Sequence, residues 1–299
     1  MDIVFNVNPG GLEGLGATLT SLIRNCSNSQ ELKIWFLCSD FQKKDKFNIS
    51  KLLESEGFSG STEYIDFNAR QLFGHLTSLH GDWTTYGRLL IANYVKSDVA
   101  LYLDADLIVL LDVLQLRNFD LQDAIVAGVY GSTLEWTLDR DFFINQLKAS
   151  PEQSYFNCGI ILFNLKKWRE DNIEEQWKEL ANQYCDKLIS HDQTIINAIC
   201  GGEFTHLPSS FNNAWYPGQN RPQDADHSIL HFVGSPKPWD LFGSVLHKGH
   251  KTWNTYTPNA WKKAYGNMSR EKIRRFWKIR RSIVRHLRTL ALNMLTNQE

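Results

Sequence analysis

Apolar positions fall into two alternating periods along the first two hundred residues. Ile3–Val7 is a short apolar run that stops at Asn8-Pro9-Gly10-Gly11, after which Leu12, Leu15, Leu19, Leu22 and Ile23 recur at helical spacing. That is the pattern of a buried strand feeding an amphipathic helix. Leu32–Cys38 reads as a second strand followed by a charged, helix-like stretch to Glu56, and Glu63–Phe67 as a third. Tyr86–Tyr94 has helical texture, and Val99–Leu103 is an apolar strand that ends abruptly at Asp104-Ala105-Asp106. Further strands are predicted at Ile125–Val129 and Gly159–Phe163, and further helices at Glu174–Lys187 and Gln193–Ile199. Strands alternating with helices predict an α/β fold whose sheet is mostly parallel and flanked by helices.

The texture changes at Pro208. From there to Pro258 the chain holds six of its eight prolines, with Trp215, Trp239, Trp253 and several histidines. Such an irregular, aromatic stretch is the kind that forms a site. The last segment differs again. Phe276, Ile279, Ile283, Leu287 and Leu290 recur at three- and four-residue steps, with Trp277 beside them. Between Arg270 and Arg288 nine basic residues face Glu271 alone, in a chain whose net charge is −1. A basic amphipathic helix of this kind can lie in a bilayer interface, where each cation near anionic lipid contributes ~1 kcal/mol. The sequence therefore predicts a body over 1–265 and a membrane-associating tail over 266–299.

Composition narrows the class. At 299 residues, 42% hydrophobic and 22% charged, the chain is globular rather than disordered, collagenous or a disulfide scaffold. The near-neutral total, with an acidic body, argues against a nucleic-acid partner. Five cysteines without a C-x-x-C pair predict reduced, mostly buried thiols in a cytoplasmic protein. Asp2 stands where a basic leader would begin, and runs such as Leu107 to Leu111 fall far below the ~18 residues that span a bilayer. The expectation is a protein neither secreted nor membrane-spanning, held peripherally on the inner face of the membrane.

Leu101-Tyr102-Leu103-Asp104-Ala105-Asp106-Leu107 carries the strongest chemical signal: two carboxylates at i and i+2 where an apolar strand leaves the sheet. Ligands of open α/β sheets bind beyond the carboxyl ends of strands. Two like charges there call for a cation, and a hard divalent ion favours phosphate oxygens as its other ligands. The alternative is a pair of solvated aspartates at a strand end. His231-Phe-Val-Gly234-Ser-Pro-Lys237-Pro-Trp239 offers an imidazole for a metal, a glycine for close backbone approach and a point charge for phosphate. Three further clusters are Tyr155-Phe-Asn157-Cys-Gly159, His191-Asp192-Gln193 at a helix start, and Thr84-Thr85-Tyr86-Gly87-Arg88. Taken singly, each also reads as a core histidine, a helix cap or a solvated arginine.

In this order and spacing the five clusters resemble glycosyltransferase family 8, and within it the bacterial retaining α-galactosyl- and α-glucosyltransferases that build lipooligosaccharide and lipopolysaccharide. The resemblance runs from Asp2 to about Trp239, and a basic tail is shared. It implies a GT-A-type, Rossmann-like domain that moves a hexose from a UDP-sugar to a glycan or lipid-linked glycan acceptor. It implies Mn²⁺, with Mg²⁺ as the second choice, on Asp104, Asp106 and His231. Lys237 and Gly234 match phosphate-contacting positions, and Asn8 matches a nucleotide contact that is often Asp. The residue after it in the family is replaced here by Pro9-Gly10. His80 matches a histidine over the nucleotide. Arg88, Asn157, Asp192 and Gln193 match residues around the donor sugar, Asp192 on its hydroxyls and Gln193 near the anomeric carbon. A neutral amide is a poor nucleophile, so retention in this family is described as same-face attack. The family commonly shows an Asp after the strand Ile125–Val129, whereas this chain has Tyr130-Gly131-Ser132. The acceptor side is thus different. A UDP-sugar-binding protein without catalysis is the alternative reading.

Overall fold

A computed structural model of the chain describes residues 1–296. Strands β1 (Asp2–Val7), β2 (Lys33–Ser39), β3 (Ser61–Phe67) and β4 (Val99–Leu103) form a parallel block, with β1 between β4 and β2 and β3 outermost. Helices α1 (Leu12–Asn25) and α2 (Lys43–Ser55) make the crossovers. The remaining strands are β5 (Leu107–Val109), β6 (Val126–Gly128), β7 (Tyr130–Thr133), β8 (Ser154–Phe156), β9 (Ile160–Asn164), β10 (Thr205–His206), β11 (Asn213–Ala214) and β12 (Ile229–His231). The main sheet runs β10-β6-β9-β4-β1-β2-β3. Only β9 is antiparallel to its neighbours β4 and β6. The expected mostly parallel, helix-flanked sheet is what the chain forms.

Side-chain alternation along each strand divides the interior in two. Ile3, Phe5, Leu101, Leu103, Ile160 and Leu162 face one way, onto the apolar sides of α1 and α2. Val4, Ala100, Tyr102, Ile161 and Phe163 face the other. There they meet α5 (Leu165–Glu170), α6 (Ile173–Gln183) and α7 (Asp192–Cys200) through Trp168, Trp177 and Ile195. Because both faces are covered, the central strands carry near-continuous apolar runs.

Two segments differ from expectation. α3 (Ala69–Phe73) is followed by a 3₁₀ segment over Thr84–Leu90, and only α4 (Ile91–Tyr94) is α-helical where a helix from Tyr86 was expected. Tyr86 to Ala92 are all buried, so this stretch has no solvent face for amphipathic spacing to mark.

The second difference is the tail. After α8 (Gly243–Leu246), α9 (His250–Tyr256) and α10 (Asn259–Tyr265), α11 runs over Arg270–Thr296. Its apolar stripe was expected to face a bilayer, yet Ile279 and Ile283 are buried against Leu246, with Phe276 and Leu290 half-buried beside them. An apolar stripe is covered by whatever apolar surface is nearest, and here the body supplies it. Leu287, from the same stripe, stays exposed, as do Ile273, Trp277 and Val284. Among the described residues no helix is long and apolar enough to cross a membrane.

Candidate functional site

Asp104 and Asp106 leave the sheet at the carboxyl end of β4, and β5 begins at the next residue. β5 pairs antiparallel with β12 in a register that sets Leu107 opposite His231, and the Phe232 amide donates to the Asp106 carbonyl. This small sheet gathers what the sequence scatters. His231 Nε2 lies 3.3 Å from Asp106 Oδ1 and 4.0 Å from Asp104 Oδ2. One ligand atom from each of the three residues falls within 4.8 Å of the others.

The residues fit a divalent cation. Asp106 Oδ1 is buried and accepts no hydrogen bond. His231 Nδ1 lies 2.9 Å from Asn212 Oδ1, and Asn212 Nδ2 donates to Asn157 Oδ1 at 3.1 Å. The Asn212 oxygen is therefore the acceptor and Nδ1 the donor, which turns the Nε2 lone pair toward the carboxylates. Gly159 permits this closeness, since a Cβ there would stand 2.3 Å from His231 Cε1. Asp106 Oδ2 receives the Lys237 ammonium at 2.6 Å. Burial pushes the Asp106 carboxyl up, but Lys237 and His231 outweigh it and hold this acid far below its ordinary range. Gly234, three residues before Lys237, has φ of +79°, a conformation that side chains disfavour.

Arg88 joins Asp104 to Asp192. Its Nη2 donates to Asp104 Oδ1 at 3.0 Å, and Nη1 donates to the Cys158 carbonyl. Nε sits 2.7 Å from Asp192 Oδ2, a charge contact outside hydrogen-bond geometry. Tyr102 donates its hydroxyl to Asp104 Oδ1 at 2.6 Å and lies under the Arg88 guanidinium. Asp192 opens α7 and accepts from Thr85 Oγ1. Burial pushes its carboxyl up to about 6, against the opposing pull of Arg88 and Thr85. His191, just before it, has φ of +57°, a strained conformation of the kind held at functional sites.

Gln193 is fixed at both ends of its amide. Oε1 accepts from the Cys158 amide at 2.9 Å and from Asn157 Nδ2 at 3.2 Å, while Nε2 donates to the Tyr155 hydroxyl at 2.7 Å. A directional line of hydrogen bonds thus runs from His231 through Asn212 and Asn157 to Gln193 and Tyr155. Tyr155 lies near buried Asp139, which accepts from the Ser190 amide and from Thr194 Oγ1.

Asn8 and His80 stand apart from this cluster. Asn8 caps the turn after β1, accepting from the Gly11 amide and donating to Asp82. Both residues line a cleft of about 830 Å³ that is also lined by Lys272, Arg275 and Lys278 of α11. β7 presents Tyr130, exposed beside His206, and carries no carboxylate. Sequence reasoning missed Asn212, Tyr102, Asp82 and Asp139, and it assigned the α11 cations to lipid rather than to this cleft. Tyr102 lies inside the Leu101–Leu107 motif, whereas Asn212 carries no local signal.

Known proteins are similar to this chain in sequence and in fold. Glycosyltransferase GlyA of Streptococcus pneumoniae is 25% identical over 264 residues, which is 87% of this chain and 35% of that protein. The chain thus spans about a third of that relative's length. Lipopolysaccharide 1,3-galactosyltransferase of Salmonella typhimurium is 23% identical over 256 residues, 81% of this chain and 74% of its own. The crystal structure of the galactosyltransferase LgtC in complex with donor and acceptor sugar analogs is similar with a TM-score of 0.71 at 25% identity. That similarity covers 88% of this chain and 99% of LgtC. The pattern of Glycosyl transferase family 8 matches residues 2–242, most of the chain, and the protein belongs to that family.

Proposed function

We propose that this glycosyltransferase moves a hexose, galactose or glucose, from a UDP-sugar to a hydroxyl of a glycan acceptor with retention, forming an α-linkage. The synthesis of lipopolysaccharide or another surface glycan is the setting this reading assigns. The observation that carries it is the convergence of Asp104, Asp106 and His231 Nε2 beside Lys237. The similarity to the Salmonella relative and to LgtC, both galactosyltransferases, supports a sugar donor and a glycan acceptor.

Two carboxylate oxygens and one imidazole suit Mn²⁺ better than Mg²⁺, which prefers all-oxygen shells. Once bound, the ion supplies Lewis-acid neutralisation of a departing diphosphate. The chain's own residues do the rest in this reading. Lys237 offers a point charge to phosphate, and the Gly234 backbone allows close approach. Asn8 and His80 flank the nucleoside in the cleft. Arg88 holds Asp104 and Asp192 in place. Asp192 then accepts from sugar hydroxyls, while Asn157 keeps the Gln193 oxygen directed. An amide oxygen already accepting two hydrogen bonds has little electron density to attack a carbon. That supports same-face displacement, with the departing phosphate accepting the proton of the incoming hydroxyl.

Residues 1–265 carry this machinery in the reading, and 266–299 form a basic tail, with α11 over Arg270–Thr296, that brings it to the cytoplasmic face of the membrane. The surface offered to anionic lipid is not the buried stripe but the exposed side with Ile273, Trp277, Arg274 and Arg281. A lipid-linked glycan presented there is the acceptor class that attachment favours. The stereochemical outcome tests the reading directly. Proton NMR of the first product formed from an α-UDP-sugar shows an α-anomeric coupling, and a β-anomer contradicts it.

A further inference from the structure

The charged groups of the site continue beyond Asp106. Lys237, whose ammonium stands on that carboxylate, has its own backbone amide held by Asp240, with N–H donating to Oδ2 at 2.7 Å. Asp240 is closed from the other side by Arg275 of α11, whose Nη2 donates to Oδ2 at 2.9 Å and whose Nε donates to Oδ1. The Asp240 side chain is only 4% exposed. A nearly buried carboxylate held by a two-pronged guanidinium is a directional joint and not a loose surface pair.

Two more side chains from the same face of α11 reach the same region. Ser282 Oγ donates to the Ser235 carbonyl at 2.6 Å, and Lys278 Nζ donates to the His80 carbonyl at 2.8 Å. Positions 275, 278 and 282 are i, i+3 and i+7 of one helix and therefore project together. Arg275 and Ser282 clasp the segment between β12 and α8 that carries Gly234 and Lys237, and Lys278 ties the helix to His80, which also lines the cleft. The face of this helix that carries Lys272, Arg275 and Lys278 lines the cleft.

We propose that α11 is part of the donor site, and that Arg275 is a positioning residue that acts through Asp240 to hold Lys237 where a nucleoside diphosphate binds. This rests on the UDP-sugar reading above. Without the guanidinium, Asp240 is left nearly buried and unpaired, a costly state. It recovers a partner by drawing in water or moving, and either response releases the Lys237 amide. The loss falls on donor binding and leaves the reacting groups around Gln193 in place.

The test uses the full chain, with UDP binding in the presence of Mn²⁺ measured by calorimetry and UDP-sugar hydrolysis followed at steady state. Arg275→Ala raises the Kd for UDP and the donor KM by about tenfold, the lower end of what groups supporting a metal site contribute, with kcat within about twofold. Arg275→Lys recovers part of the affinity. Arg288→Ala, an exposed change on the same helix, behaves as wild type. Should Arg275→Ala fail to fold, Arg275→Gln is read in the same way. Unchanged UDP affinity in a folded Arg275 variant overturns the proposal. So does a loss of kcat without a change in KM, or a loss equally produced by Arg288→Ala. A wild-type chain that binds no UDP overturns the function reading, and this inference with it; a wild-type chain that binds while Arg275→Ala is unaffected overturns this inference alone.

Discussion

His231 Nδ1 faces Asn212 Oδ1 at 2.9 Å, and this contact decides which ring nitrogen is available to a metal. Replacing Asn212 with Leu removes the acceptor and frees the imidazole to rotate or change tautomer. The expected result is Mn²⁺ affinity weaker by about ten- to a hundredfold, with Asn212→Asp, which keeps an acceptor oxygen, closer to wild type. Titration of Mn²⁺ by electron paramagnetic resonance reads this directly, and equal affinities for all three proteins contradict the assignment.

Asp106 is the carboxylate most deeply committed to charge, meeting Lys237 on one oxygen and His231 on the other. Asp106→Asn keeps the shape and removes the charge. UDP-sugar turnover drops by about a hundredfold or more, with circular dichroism and melting temperature near those of wild type. Near-normal turnover at low Mn²⁺ removes Asp106 from the metal shell.

The apolar stripe of α11 supplies a test of where the helix faces. Ile283 is 2% exposed and packs on Leu246. Truncation to Ala at such a site costs about 2–4 kcal/mol, so denaturant unfolding of Ile283→Ala shifts accordingly while binding to anionic vesicles persists. The opposite pattern, unaltered stability with vesicle binding lost, returns the stripe to the bilayer.

The contact between α1 and α11 ties stability to pH. Glu13 on α1 accepts from Lys272 of α11 at 2.7 Å, and burial raises its carboxyl from 4.5 to about 7 despite that cation. The folded state therefore binds this proton more tightly than the unfolded chain does. Stability from this group is present in full below about 4.5 and declines as pH rises to about 7, by up to about 3 kcal/mol. Glu13→Gln removes that decline. The measurement is the difference in unfolding free energy between wild type and variant at pH 5 and pH 8. A difference that does not change with pH contradicts the shift.

Much of this molecule is legible along the chain. The runs Ile3–Val7 and Val99–Leu103 announce buried strands because both sheet faces are covered, and Asp104 and Asp106 stand out because charge interrupts such a run. Legibility fails where the deciding partner is remote. Periodicity marks Ile279 and Ile283 as one apolar face but does not say whether lipid or Leu246 covers it. Asn212, Asp240 and Arg275 look like ordinary polar residues until β12 and α11 bring them to His231 and Lys237. The 3₁₀ segment Thr84–Leu90 is buried from Tyr86 onward, so it offers no amphipathic signal to read.

The central claim is metal-dependent use of a UDP-sugar by Asp104, Asp106 and His231. Release of UDP by the full chain, measured with UDP-galactose, UDP-glucose and UDP-N-acetylglucosamine in turn, with Mn²⁺ and again with excess chelator, tests it most directly. The account predicts release from UDP-galactose or UDP-glucose that requires Mn²⁺ and stops on chelation. Binding of UDP-sugars without release from any of the three contradicts it, as does release that continues unchanged in chelator.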